Sequence, residues 1–177
     1  ALRERYGGTD PEAGQRFLEK IIQVPLSLPK IHPESLRRFC FSSVDQAISE
    51  AGIELNEEQV QVFVRHFVDG LEIRLTTPRV AKRYGNILAF ALPILKGEVN
   101  PVDLMLIEGI RIFYPSLYET IKSNSEVFLG NASYRLPRID ENQNKRTREV
   151  IDSALDCLSN DEENSARRIL TALFPCL

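Results

Sequence analysis

From Leu36 onward, apolar residues recur every three or four positions, and nearly every run opens on a proline or a capping residue. That period is the signature of amphipathic helices, so the chain is constrained to helices packed on helices. Leu36, Phe39, Cys40, Val44, Ala47, Ile48 and Ala51 form one stripe closed by Gly52, with Ser42-Ser43 as a candidate break. Asn56-Glu57-Glu58-Gln59 reads as a capping box ahead of Val60, Phe63, Val64, Phe67 and Val68. Thr77-Pro78 opens a helix through Tyr84, Leu88 and Leu95, with a kink expected at Pro93. Asn100-Pro101 opens another that is apolar nearly all round and should be central. Pro115 begins a short helix, residues 130 to 144 read as a polar loop, and a last pair carries Val150, Ile151, Ala154, Leu155 and Leu158, then Ala166, Ile169, Leu170, Leu173 and Phe174, the second member opened by a capping box at Asn160 to Glu163.

Only one segment departs from this period. After a helix start at Thr9-Asp10-Pro11, Ile22, Val24, Leu26 and Leu28 alternate in the manner of a strand, which Pro25 confines to an edge or ends. The fold class expected is mainly α, a multi-helix bundle with one short N-terminal strand. An unpaired apolar strand recruits a partner, so residues 21 to 28 should either mediate a dimer or fold back on the helices.

At 177 residues the chain is about one domain long, and 22 basic against 25 acidic residues leave no global field to draw it to nucleic acid or an anionic membrane. Cys40, Cys157 and Cys176 form no CxxC pair, which fits reduced thiols acting as small apolar groups in a cytoplasmic protein. The longest uncharged apolar run, Tyr84 to Leu95, falls well short of the roughly 20 residues that span a bilayer. Ala1 follows no Met, and Ala-Leu-Arg-Glu-Arg-Tyr reads as the tail of a helix, so a fragment of a longer chain is expected.

Chemistry-bearing motifs are scarce. The sequence has no phosphate loop of the form GxxxxGK followed by Ser or Thr, no GxSxG elbow and no HExxH. His32 and His66 have no evident acid/base partner, and the carboxylate pairs Glu57-Glu58 and Glu162-Glu163 suit helix first turns. What stands out is a charge switch. Residues 43 to 72 hold seven acids against Arg65, while residues 74 to 96 hold Arg74, Arg79, Lys82, Arg83 and Lys96 and no acid. Arg79, Lys82 and Arg83 fall in the first turns of the Thr77-Pro78 helix, where cations oppose the positive end of the dipole. Local stability does not explain that placement. An anion brought to the helix start would explain it, and so would ion pairs with the acidic segment or a solvated basic face.

Four segments resemble the KAP family of P-loop NTPases. They are Phe17 to Pro29 (FLEKIIQVPLSLP), Thr77 to Asn86 (TPRVAKRYGN), Asn100 to Ile121, including Leu106 to Tyr118 (LIEGIRIFYPSLY), and Leu173-Phe174-Pro175, in the family's order. Val80-Ala81 and Gly85 depart from the family pattern. The resemblance implies that the phosphate loop and the acidic Mg²⁺ strand lie before Ala1, so that residues 1–30 are a remnant of a truncated α/β NTPase core. Residues 31–98 would then be a helical lid and residues 99–177 a C-terminal helical subdomain.

On that resemblance, Arg79 is similar to a sensor arginine that reaches the terminal phosphate. Thr77 lies beside it at the nucleotide, Lys82 and Arg83 are auxiliary, and Lys20 is a candidate partner for a neighbouring subunit's phosphate. ATP and Mg are implied as cofactors of the intact protein, with no catalytic residue and no bound cofactor in this chain. The implied partners are the N-terminal NTPase core and further copies of the same protein, at a cytoplasmic location or the cytoplasmic face of a membrane. Two other readings stay open from the residues alone. One is a helical adaptor that binds a protein through an apolar groove. The other is a nucleic-acid module using Arg74 to Arg83 with Arg135, Arg138, Lys145, Arg146 and Arg148, although it lacks interleaved aromatics.

Overall fold

The computed structural model describes residues 31–129 and 141–175, which belong to the second of two units, Ile31–Leu177. The N-terminal helix, the strand expected at Ile22 to Leu28, Lys20, residues 130–140 of the expected loop and Cys176 lie outside the described residues, whereas residues 141–144, expected as loop, already belong to a helix. The described part is mainly α, and no strand occurs among these residues. Its elements are α1 (Pro33–Glu50), α2 (Glu57–His66), a π turn (Phe67–Leu71), a 3₁₀ turn (Glu72–Arg74), α3 (Pro78–Ile94), α4 (Pro101–Phe113), α5 (Pro115–Ser123), α6 (Ser125–Leu129), α7 (Glu141–Leu155) and α8 (Asn160–Leu173).

The starts follow the cap chemistry. The Gln59 N–H donates to Asn56 Oδ1 (2.8 Å) and the Asn56 N–H to Gln59 Oε1 (3.0 Å), closing a capping box. At α8 the box sits one residue earlier than the sequence suggests: the cap is Ser159, whose N–H donates to Glu162 Oε2 (3.1 Å). The helix α1 is continuous through Ser42-Ser43, because the buried Ser43 hydroxyl donates back to the Phe39 carbonyl (3.2 Å) and needs no other partner. Its end is a Schellman motif, with Ile53 N–H to Ile48 O and Gly52 N–H to Ser49 O while Gly52 takes φ +61°. The kink expected at Pro93 is instead a helix end, since α3 stops one residue later at Ile94.

The core runs from Leu36 to Ile169 and Leu170, shared by residues 31–98 and 99–177. The α1/α3 pair packs most closely. Its facing residues are small, with Cys40, Ser43 and Ala47 set against Ala81, Gly85 and the larger Leu88. Gly85, costly within a helix by intrinsic propensity, is explained here: a Cβ on it would lie 2.6 Å from Ser43 Cβ. Central α4 buries Leu104, Met105, Leu106, Ile110, Ile112 and Phe113, as its all-round apolarity predicts. Tyr84 is fully buried and donates its hydroxyl to the Met105 carbonyl (2.8 Å), tying α3 to α4.

The π turn is a feature the periodicity did not indicate. It extends the α2 segment beyond Val68, and the Glu72 N–H donates to the Phe67 carbonyl five residues back. The extra residue per turn brings Gly70 against α8, where a Cβ would lie 2.8 Å from Ile169 Cβ, and sets Leu71 against Gly109 of α4.

Candidate anion-facing groove on α3

Thr77 caps α3 by accepting the Val80 N–H (3.3 Å), and Pro78 occupies the first turn, where its missing N–H costs nothing. One side of the helix, Ala81, Tyr84, Gly85, Leu88 and Leu92, is buried. The other carries Arg79, Lys82, Arg83, Asn86, Ile87, Phe90 and Ile94 at helical spacing, and these line one open groove of about 750 Å³. Glu108 and Arg111 of α4 close its side. The groove is cationic toward the start of α3 and apolar toward its end, where Phe90 is 72% and Ile94 60% exposed. Pro78 has no N–H and the Val80 N–H is used by the cap, so side chains supply most of the positive charge at the helix start.

The five-base segment therefore divides in function. Arg74 is structural: its Nε donates to the Phe113 carbonyl (3.1 Å), its Nη1 to Glu162 Oε1 (2.6 Å), and it lies over the Tyr114 ring. Lys96 donates Nζ to the Ala51 and Gly52 carbonyls (3.0 and 2.7 Å) at the end of α1, where a cation complements the dipole. Arg79, Lys82 and Arg83 remain together on the groove, and among the described residues no ion pair joins them to the acidic segment. Glu72 of that segment pairs with Arg37 instead (3.2 Å).

The hydrogen bond from Arg74, followed by that from the Ser159 backbone, holds the Glu162 carboxyl below its ordinary range. A depressed carboxylate stabilises the fold at any pH above the unfolded value, and that contribution is lost as pH falls through the folded one. Acid titration of thermal stability should therefore lose a step in Glu162→Gln that the parent sequence shows below the ordinary glutamate range. An unchanged acid limb would show that Glu162 is not coupled to folding.

No His, Cys, Asp and Glu group among the described residues is arranged to hold a metal ion. Burial pushes the Cys40 thiol up to about 12, with Glu72 adding to the effect, so it is an apolar core group rather than a nucleophile. Cys157, by contrast, is exposed and does not serve as core packing. Burial, then Arg65, lowers His66 below its ordinary value. No described helix is long and apolar enough to cross a membrane.

Residues 1–95 match the KAP family P-loop domain. This chain belongs to the KAP family. It is also 30% identical over 111 residues to the phage T7 exclusion protein of Escherichia coli (strain K12), an alignment covering 61% of this chain and 15% of that protein. The chain thus spans well under two thirds of the length of that relative. No solved structure matches it. Within the KAP match fall Arg79, Lys82, Arg83, Phe90 and Ile94; Glu108 and Arg111, which the charge pattern did not single out, lie beyond it. Arg111 had one local signal, as the sole base in a largely apolar helix.

Proposed function

We propose that this KAP chain is the lid part of a P-loop ATPase, which senses nucleotide state and converts it into a change of domain arrangement. The observation that carries this reading is the gathering of Arg79, Lys82 and Arg83 on one groove at the start of α3, with the neighbouring bases Arg74 and Lys96 used in the fold. Cations that oppose the local dipole are explained by an incoming anion. In this reading Arg79 contacts the terminal phosphate when the lid closes, Lys82 and Arg83 add charge, and Thr77 shapes the helix start while its hydroxyl serves as the cap. Lys20 is proposed as a contact to a neighbouring subunit's phosphate in an oligomer. The apolar half of the groove, Phe90 and Ile94, suits contact with the nucleotide-binding core.

ATP and Mg²⁺ belong to the intact protein, where a phosphate loop binds them; this sequence has no such loop, so the chain alone neither hydrolyses ATP nor binds it tightly. A cytoplasmic location is part of the same proposal. In the intact protein, Arg79→Ala should lower kcat on the order of 10- to 100-fold while leaving initial nucleotide affinity nearly unchanged, because the contact forms mainly in the closed state. Steady-state turnover beside equilibrium binding decides it. Equal losses in both, or in neither, would reduce Arg79 to a surface charge.

A further inference from the structure

We propose that Arg111 is a second anion-binding residue of the α3 groove, delivered by α4, and that the ligand it helps to hold is a di- or triphosphate chain. The proposal rests on the reading of the groove as phosphate-facing. Arg111 is the one base in a helix whose other faces are largely buried, and it lines the same groove as Arg79, Lys82 and Arg83. Its side chain is held from two sides. Nη1 donates to both Glu108 carboxylate oxygens (3.2 and 3.4 Å), and the guanidinium carbon lies 5.8 Å from the centre of the Tyr118 ring.

Glu108 engages only Nη1, so Nε and Nη2 have no hydrogen-bond partner among the described residues, and the side chain is 52% exposed. An arginine already restrained by a carboxylate and an aromatic ring loses less freedom on binding than a free surface lysine. With one acid against four bases, the groove suits an anion of several charges. A phosphate chain offers several charged oxygens along its length and so can engage bases from α3 and α4 at once, which a single phosphate does less well.

The test uses the full chain with inorganic tripolyphosphate as the probe, followed by NMR of the arginine Nε–H signals and by dissociation constants at fixed ionic strength. Addition of the probe should shift the Arg111 Nε–H signal. Arg111→Ala should weaken binding about five- to tenfold, with Arg111→Lys in between, as for loss of a charge-assisted hydrogen bond weakened by solvent screening at a half-exposed site. Arg65→Ala, an exposed charge on α2 away from the groove, reports the effect of net charge alone. Arg111→Ala binding no worse than Arg65→Ala overturns the proposal, as does no binding by the parent chain. If Arg111→Ala weakens binding and Arg79→Ala does not, the Arg111 site stands and the sensor role of Arg79 falls. If only Arg79→Ala weakens it, the reverse holds.

Discussion

Replacing Phe67 with alanine should destabilise the protein by about 3–5 kcal/mol, the range for removing a large aromatic side chain from a core. Phe67 is fully buried at the first position of the π turn. Its ring lies 5.1 Å from Phe41, 5.8 Å from Phe63, 5.9 Å from Tyr84 and 6.0 Å from Phe113, centre to centre. One side chain thus joins α1, α2, α3 and α4, and an alanine leaves a void that four rings on four helices cannot collapse into together. Phe90→Ala provides the contrast: that ring is 72% exposed, so its removal should alter stability little. Urea unfolding measures both, as a lowered midpoint for Phe67→Ala with an unchanged slope. Comparable midpoints for the two variants would contradict the core described above.

Gly85→Val should be nearly as damaging, although valine forms helices better than glycine. Its Cβ would meet Ser43 Cβ at 2.6 Å and the Ser43 carbonyl oxygen at 3.2 Å, so α1 and α3 must separate. Overpacking of this kind costs about 1–3 kcal/mol, and the two branched methyls put valine at the upper end. Gly85→Ala is the sharper test, because propensity alone predicts a gain of about 1 kcal/mol and the clash predicts a net loss. Adding Ser43→Gly removes the nearest atom and should recover part of the loss, giving a favourable coupling in a double-mutant cycle. A Gly85→Ala protein that melts higher than its parent would remove the packing account.

What could be read from the sequence was local. The caps at Asn56, Thr77 and Asn100 and the buried stripe of α4 depend on residues within a turn or two of each other, and spacing reports them directly. The basic face of α3 was visible for the same reason. Arg74 was indistinguishable from its neighbours, because its role is set by Glu162, 88 residues away, and by the carbonyl of Phe113. Lys96 likewise acts on a helix end 44 and 45 residues earlier. Gly85 is unfavourable by helix propensity alone, and only Ser43 across the α1/α3 contact accounts for it. The π turn escaped because one inserted residue leaves the average apolar period almost unchanged while altering every contact after it. Arg111 lacked a charge cluster of its own, and only the packing of α4 beside α3 brings it to the groove.

The α1/α3 contact also has a mechanical side. Gly85 sits against Ser43, while Lys96, just past the end of α3, clasps the end of α1 at Ala51 and Gly52. Along α1 these two points of attachment are about 12 Å apart at the ordinary helical rise. Two pins set that far apart stop one rod from sliding or pivoting on the other. A push delivered to Arg79 would then swing both helices as a single stiff plate, with Phe90 and Ile94 carried along on its outer surface.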